Sequence, residues 1–228
     1  MVHRLVDIPL TVTAVRSEAP GHRSLVFARP PRFEYEAGDW IDLGFSPNLT
    51  GGKTYSLSSS PTEPDLMITF KEGLSGIKRT LQGAQQGDEY RITAYGNDYD
   101  FALRQHRSSV LVAGGVGIAP FRSMLAEMAD TNSPEVAHLL YLNRSPEFLF
   151  QAELDAWRTQ LTNVTIELLT TDGMKRRDRT VPIRACVSDS VHYYYVSGPP
   201  AMVESTEEVL MQAGVDHDDI RVDIFSGY

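Results

Sequence analysis

The stretch Val110-Leu111-Val112-Ala113-Gly114-Gly115-Val116-Gly117-Ile118-Ala119-Pro120 decides how this chain folds. Four apolar residues in a row suit a strand covered on both faces, and the glycines that follow close it. Beyond the turn, Phe121, Met124, Leu125 and Met128 recur at helical spacing, and Pro120 stands where the first turn of a helix tolerates a missing N–H. This predicts a strand, a glycine-rich turn and a helix. Bare backbone at Gly114, Gly115 and Gly117 would let a nucleotide pyrophosphate approach the turn and the helix N-terminus. A tight turn with close packing would not need three glycines in four positions.

Toward the C-terminus the alternation of strand and helix continues. Further strands are expected at Ala137–Leu142, Val164–Thr170, Tyr193–Val196 and Arg221–Phe225, with helices at Gln151–Gln160 and Ala201–Ala213, the latter stopped by Gly214. The pattern is that of a parallel, doubly wound, Rossmann-like α/β sheet. Toward the N-terminus the pattern is different. Leu10-Val12-Ala14, Ser24-Val26-Ala28, Ile41-Leu43, Leu66-Ile68-Phe70 and Tyr90-Ile92 alternate as short strands between Pro-Gly, Ala-Gly-Asp and Gly-Gly turns, as an antiparallel barrel or sandwich requires. One short helix is expected near Lys78–Gln82. The polar run Arg104-Gln105-His106-Arg107 separates the patterns, giving two domains, residues 1–103 and 104–228. The fold class is α+β, with two different folds joined once.

Composition excludes several alternatives. At 228 residues, with 42% hydrophobic and 22% charged residues, the chain can bury a core without disulfides. No stretch approaches the roughly 20 apolar residues that span a bilayer, and the N-terminus lacks the apolar run of a signal peptide, so a cytoplasmic protein is expected. Cys186 is the only cysteine, which leaves no intramolecular disulfide and no cysteine-ligated iron–sulfur cluster within this chain alone. The six histidines show no metal-ligand spacing, and no metal is expected. A net charge of −9 argues against nucleic-acid binding, which wants a basic face.

Two further stretches carry chemistry. In Lys53-Thr54-Tyr55-Ser56-Leu57-Ser58-Ser59-Ser60-Pro61 an aromatic ring precedes a run of hydroxyls and follows a cation. Tyr55 can stack on a planar ring system while Ser56, nearby backbone and Lys53 hold its polar edge and phosphates. An exposed serine-rich turn with a core tyrosine would read the same way. In Gly73-Leu74-Ser75-Gly76-Ile77-Lys78-Arg79-Thr80-Leu81 a glycine-rich loop enters a short helix with cations in its first turn, which favours a diphosphate or, equally, a plain turn with solvated charges.

Taken in order, these motifs resemble the ferredoxin-NADP reductase family, whose flavin motif is Arg-x-Tyr-Ser and whose nucleotide motif is Gly-Gly-x-Gly-Ile-Ala/Thr-Pro. Tyr35-Glu36-Ala37-Gly38-Asp39, Ser197-Gly198-Pro199-Pro200 and the ending Phe225-Ser226-Gly227-Tyr228 are similar to further landmarks of the family. The resemblance implies a β-barrel that binds FAD and a second domain that binds NAD(P)H. It places Tyr55 beside the isoalloxazine with Thr54 next to it, Ser56 near flavin N5, and Gly76, Lys78 and Thr80 around the FAD pyrophosphate. Gly114, Gly115, Gly117, Pro120, Gly198 and Pro199 would hold the nicotinamide nucleotide. Ser197 stands where the family has a cysteine that places the nicotinamide, and Tyr228 resembles a terminal aromatic that covers the flavin; with Ser56 these are the candidate catalytic residues.

Three departures matter. Lys53 replaces the motif's arginine and offers a point charge in place of a bidentate fork. Gly96-Asn97-Asp98-Tyr99-Asp100-Phe101 differs from the family's Gly-Pro-x-Gly-x-Phe at the hinge. Ser197 has no histidine recognisably paired with it and is not read as a nucleophile. For the nucleotide's 2′ group, Arg144 after the second strand and a loop cluster of Lys175, Arg176, Arg177 and Arg179 lean toward NADPH, although solvated charges on a polar loop would look alike.

The implied function is hydride transfer between NAD(P)H, NADPH favoured, and FAD, with electrons passed to or from a ferredoxin or similar carrier. A non-enzymatic nucleotide-sensing or docking module on the same fold is the competing class. An unrelated Rossmann enzyme such as a methyltransferase is argued against by the all-β first half.

Overall fold

The structure, a computed structural model, describes residues 2–44 and 53–225. In the first half six strands form one sheet: β1 (Val2–Ala19), β2 (His22–Ala28), β3 (Trp40–Gly44), β4 (Lys53–Ser56), β5 (Asp65–Lys71) and β6 (Glu89–Asn97). Their order is β4-β3-β6-β1-β2-β5, with antiparallel pairing throughout. The sheet curls until its ends meet at an isolated bridge between Leu57 and Ile68. That contact closes the barrel and removes its edges. Period-two alternation explains the interior: on β6, Tyr90, Ile92 and Ala94 point in while Glu89, Arg91 and Thr93 point out. Tyr90 and Ile92 meet Leu10, Leu25, Phe27, Ile41 and Leu43 in one apolar core. A short helix, α1 (Gly76–Gln82), caps one end and inserts Leu81.

The second half is a five-stranded parallel sheet, β7 (Ser109–Gly114), β8 (Ala137–Asn143), β9 (Val164–Thr170), β10 (Tyr193–Gly198) and β11 (Ile220–Ile224), in the order β11-β10-β7-β8-β9. Helices α2 (Ile118–Thr131), α3 (Gln151–Gln160), α4 (Arg176–Ala185) and α5 (Pro200–Gln212) accompany it. Every residue of β7 is buried, as expected of a central parallel strand. The order reverses between β7 and β10, which puts the crevice used by ligands in such sheets at the ends of those two strands.

Two elements differ from the sequence reading. β1 begins at Val2 and turns through register shifts near Leu5–Ile8 and Val12–Ala14, so one long strand pairs with both β6 and β2. The Lys175–Arg179 segment expected as a loop opens α4, a polar helix whose buried anchor is Ile183.

The halves are joined once, through residues 98–108, and the division proposed after residue 103 falls inside that segment. Asn97 staples it: its amide N–H₂ donates to Asp39 (2.9 Å) and to the Phe101 carbonyl, while its carbonyl accepts from the Phe101 N–H (2.6 Å). The expected turn at Tyr35–Asp39 packs directly on it. Gly38, at φ +103°, would place a Cβ 2.0 Å from the Phe101 carbonyl oxygen, so no larger residue fits there.

The halves also share a core. Val26, Ala37 and Met67 of the barrel and Phe101 of the connection belong to the same apolar cluster as Phe121, Met124 and Leu125 of α2. This explains why Ser24 to Phe27 of β2 are all buried instead of alternating. Polar contacts line the same seam. Ser123 donates to the Ser59 carbonyl (2.6 Å), Thr62 to Asp130 (2.5 Å), and the buried Arg122 guanidinium reaches from α2 to Glu63 and the Ser58 carbonyl. Burial opposes the charge of Arg122, but its hydrogen bonds to the Glu63 and Glu153 carboxylates, with their charges, outweigh it and hold its pKa above the usual arginine value.

Candidate functional site

A cleft of about 300 Å³ opens where the barrel meets the carboxyl ends of β7 and β11. Strand β4 supplies Lys53, Thr54, Tyr55 and Ser56, β5 supplies Thr69, the glycine turn supplies Val116, and β11 supplies Asp223. Both halves therefore contribute walls to one cavity, which is what hydride transfer between two bound groups requires.

The Tyr55 ring is 7% exposed and its hydroxyl has no hydrogen-bond partner among the described residues. Buried hydroxyls are normally satisfied, so this one is an exception, on a side chain that both packs in the barrel core and lines the cleft. Lys53 Nζ sits 5.7 Å from the centre of that ring. Burial, and then the charge of Lys78, lower the Lys53 pKa, and burial with Lys71 lowers that of Lys78. Two ammonium groups on one wall, the first with its charge discouraged by the second, suit an anion such as a diphosphate. Thr54, expected to face the cofactor, donates to Asp42 (2.5 Å).

Ser56 donates to the Asp223 carboxylate across the domain seam at 2.6 Å. Burial pushes Asp223 up to about 6, against the bond from Ser56 and with help from Asp98. Because the folded state holds this proton more tightly than the unfolded chain does, the stabilisation is complete below pH 4 and lost as pH rises through about 6. Asp223→Asn is therefore expected to melt with the parent near pH 4 and above it at pH 8, by on the order of 2 kcal/mol. A gap in melting temperature that stays constant from pH 4 to 8 would contradict the assignment.

The glycine turn is used differently from the sequence reading. A Cβ on Gly117 would lie 2.2 Å from the Ser197 carbonyl oxygen, and one on Gly114 would lie 2.4 Å from Met202 Cε. Two of the three glycines thus serve close packing between the β7 and β10 turns, the role the sequence reading had set aside. Gly115, at φ +55°, has open space around it and is the one whose bare backbone faces outward. Pro120 is buried in the first turn of α2. Gly198 and Pro199 form the facing turn, and Ser197 before them is fully buried, its hydroxyl without a partner among the described residues. Ser197 does not reach the cleft wall.

Lys78 lines the cleft, whereas Gly76 and Thr80 do not; the Thr80 hydroxyl donates back to the Gly76 carbonyl within α1. A second groove, of about 580 Å³, lies beside the β8 and β10 ends and gathers Arg144, Arg179 and Pro199. Arg179 also donates to the carbonyls of Thr171 and Met174. Arg177 is 80% exposed, pairs with Asp178 and stays outside the groove. The side chain of Arg176, and Tyr228, expected to cover the flavin, lie outside the described residues. Among the described residues no cluster of His, Cys, Asp or Glu is arranged for a metal, and no helix is long and apolar enough to cross a membrane.

Sequence reasoning missed Asp223 and Arg122. Asp223 lies 167 residues from its partner, and only an acid in a β-strand marked it. Arg122 was legible as a charge between Phe121 and Met124 on a helix otherwise set for burial.

Comparison with known proteins agrees with this geometry. Residues 111–208 match the oxidoreductase NAD-binding domain family. The phenol hydroxylase P5 protein of Acinetobacter pittii is 22% identical across 98% of this chain and 67% of its own length. The reductase component of propane 2-monooxygenase from Rhodococcus jostii is 26% identical across 96% of the chain and 64% of its own length. The chain spans about two thirds of the length of these curated relatives. Among solved structures, a ferredoxin-NADP+ reductase from Neisseria gonorrhoeae with bound FAD and NADP superposes with a TM-score of 0.79 at 18% identity, covering 96% of this chain and 98% of that one. Residues 111–208 are therefore similar to the oxidoreductase NAD-binding domain, and the chain has the two-domain fold seen in solved ferredoxin-NADP+ reductases.

Proposed function

We propose that the protein is an FAD-dependent NAD(P)H oxidoreductase, the reductase component that feeds electrons to a separate ferredoxin or similar carrier. The observation that carries this reading is the shared cleft, in which the Tyr55–Ser56 strand of the barrel faces Val116 of the nucleotide turn and Asp223 of β11. FAD, when bound, supplies the chemistry by accepting a hydride from the nicotinamide and releasing electrons onward. This chain's residues bind and orient. Tyr55 flanks the flat ring, while Lys53 and Lys78 neutralise the diphosphate. Ser56 and Asp223 hold a proton at the cleft floor, on a carboxylate whose pKa near 6 lets it exchange at neutral pH. Ser197, being enclosed, acts only by shaping the turn that receives the nicotinamide.

The curated relatives include reductase components of oxygenase systems, which supports a carrier protein as partner. With a single cysteine these 228 residues hold no cysteine-ligated cluster of their own, which supports a carrier outside them. A cytoplasmic location is part of the proposal, in keeping with the one buried, free thiol of Cys186.

Purified protein incubated with FAD is expected to show bound-flavin absorption, and Tyr55→Ala is expected to weaken binding by about 0.5–1.5 kcal/mol beyond the lost contact area. A colourless protein that cannot be loaded would indicate a nucleotide-sensing module. For the nucleotide, Arg144 and Arg179 in one groove favour NADPH. Arg144→Gln is expected to lower the NADPH-to-NADH ratio of kcat/KM about tenfold, the weight of one charge-assisted hydrogen bond of about 1.5 kcal/mol. An unchanged ratio would remove the groove from the 2′-phosphate site.

A further inference from the structure

The Arg122 guanidinium has all five of its N–H donors engaged. Nη1 donates to the Ser58 carbonyl (2.9 Å) and to Glu63 (2.5 Å), Nη2 to Glu63 (2.9 Å) and to Glu153 (2.5 Å), and Nε to Glu153 (3.2 Å). Three of these bonds cross to the barrel and two stay within the nucleotide domain, on α3. The group is 4% exposed and lies over the rings of Phe150 and Trp157. A planar fork gripped by two carboxylates and a carbonyl fixes direction as well as distance, which a lysine or an apolar contact cannot do. Its barrel anchor, Ser58, lies two residues beyond Ser56, and its own helix begins at the end of the glycine turn.

We propose that Arg122 is a positioning residue: by locking α2 to the Ser58–Glu63 segment it sets the orientation of the nucleotide domain on the barrel, and so the register of the glycine turn against Tyr55 and Ser56. The proposal rests on the flavin reading above, which is what makes that register matter to the reaction. A purely structural ion pair would need both glutamates for stability alone. A positioning role separates them, because only Glu63 belongs to the barrel.

The test compares Glu63→Gln with Glu153→Gln in two readouts. Pulsed electron-spin distances between labels on Q86C and T159C, two exposed sites on opposite halves, are measured in a C186S background and need no cofactor. With FAD loaded, rapid mixing with NADPH gives the limiting rate of flavin reduction. Glu63→Gln is expected to broaden the distance distribution and slow reduction roughly tenfold to a hundredfold, with FAD and NADPH affinities within a factor of two, as misplacement without lost binding requires. Glu153→Gln is expected to leave both readouts near the parent, and Arg122→Lys, a charge without a fork, to fall between parent and Glu63→Gln. Parent-like distances or rates in Glu63→Gln, or equal changes in both glutamate variants, overturn the proposal. Broadened distances in a protein that takes up no FAD would keep the orientation role and refute the flavin reading.

Discussion

Gly117→Ala is expected to destabilise the protein by about 3 kcal/mol or more, at the upper end of overpacking, although it adds a single methyl group. The added Cβ would meet the Ser197 carbonyl oxygen at 2.2 Å, its carbon at 2.5 Å and Gly198 Cα at 2.7 Å. All three are backbone atoms of β10, whose pairing with both β7 and β11 prevents it from moving aside. Gly114→Ala provides the control. Its nearest neighbour is the end of the flexible Met202 side chain, which can rotate away, so its cost should stay below about 1.5 kcal/mol. Urea denaturation of the two variants checks the contrast; equal losses would mean that the turns are looser than described.

The second large effect concerns Arg122. Arg122→Met leaves two carboxylates facing an apolar seam, and breaking such a pair typically costs 3–5 kcal/mol. Glu63 and Glu153 keep 29% and 39% of their side-chain surface, so solvent moderates the penalty and about 3 kcal/mol is expected. Most of that cost comes from stranded charge, not from lost attraction. The triple variant Arg122→Met, Glu63→Gln, Glu153→Gln should therefore recover more than half of the loss at neutral pH. Chemical denaturation of the two variants decides the matter, and a triple variant less stable than the single one would show that attraction dominates.

Local patterns carried most of the fold. The run from Val110 to Pro120 located β7 and α2, and α3 was read at its observed bounds, because apolar spacing there reports burial on one face. β1 was read too short because His3, Arg4 and Asp7 interrupt its alternation where it serves as an outer strand. α4 was missed because its sequence is polar and contains Pro182, and its place is set by contact with α5 more than by its own pattern. Lys53, Tyr55, Ser56 and Lys78, which line the cleft, could be singled out beforehand because they sit in short local motifs. Asp223 and the Arg122 clamp could not, since their partners lie 167 residues away for Asp223 and 31 to 64 residues away for Arg122, which no short window of sequence brings together.

The core shared by Val26, Met67, Phe101 and α2 has a consequence for how this chain can change over time. The segment 98–108 marks where one architecture gives way to another, yet neither half presents a finished surface to the other. An exchange of barrels between related proteins would have to bring matching apolar residues at positions 26 and 67, or the transplanted half would meet its new neighbour over a gap. Residues with no contact to any ligand thus decide which halves can be recombined.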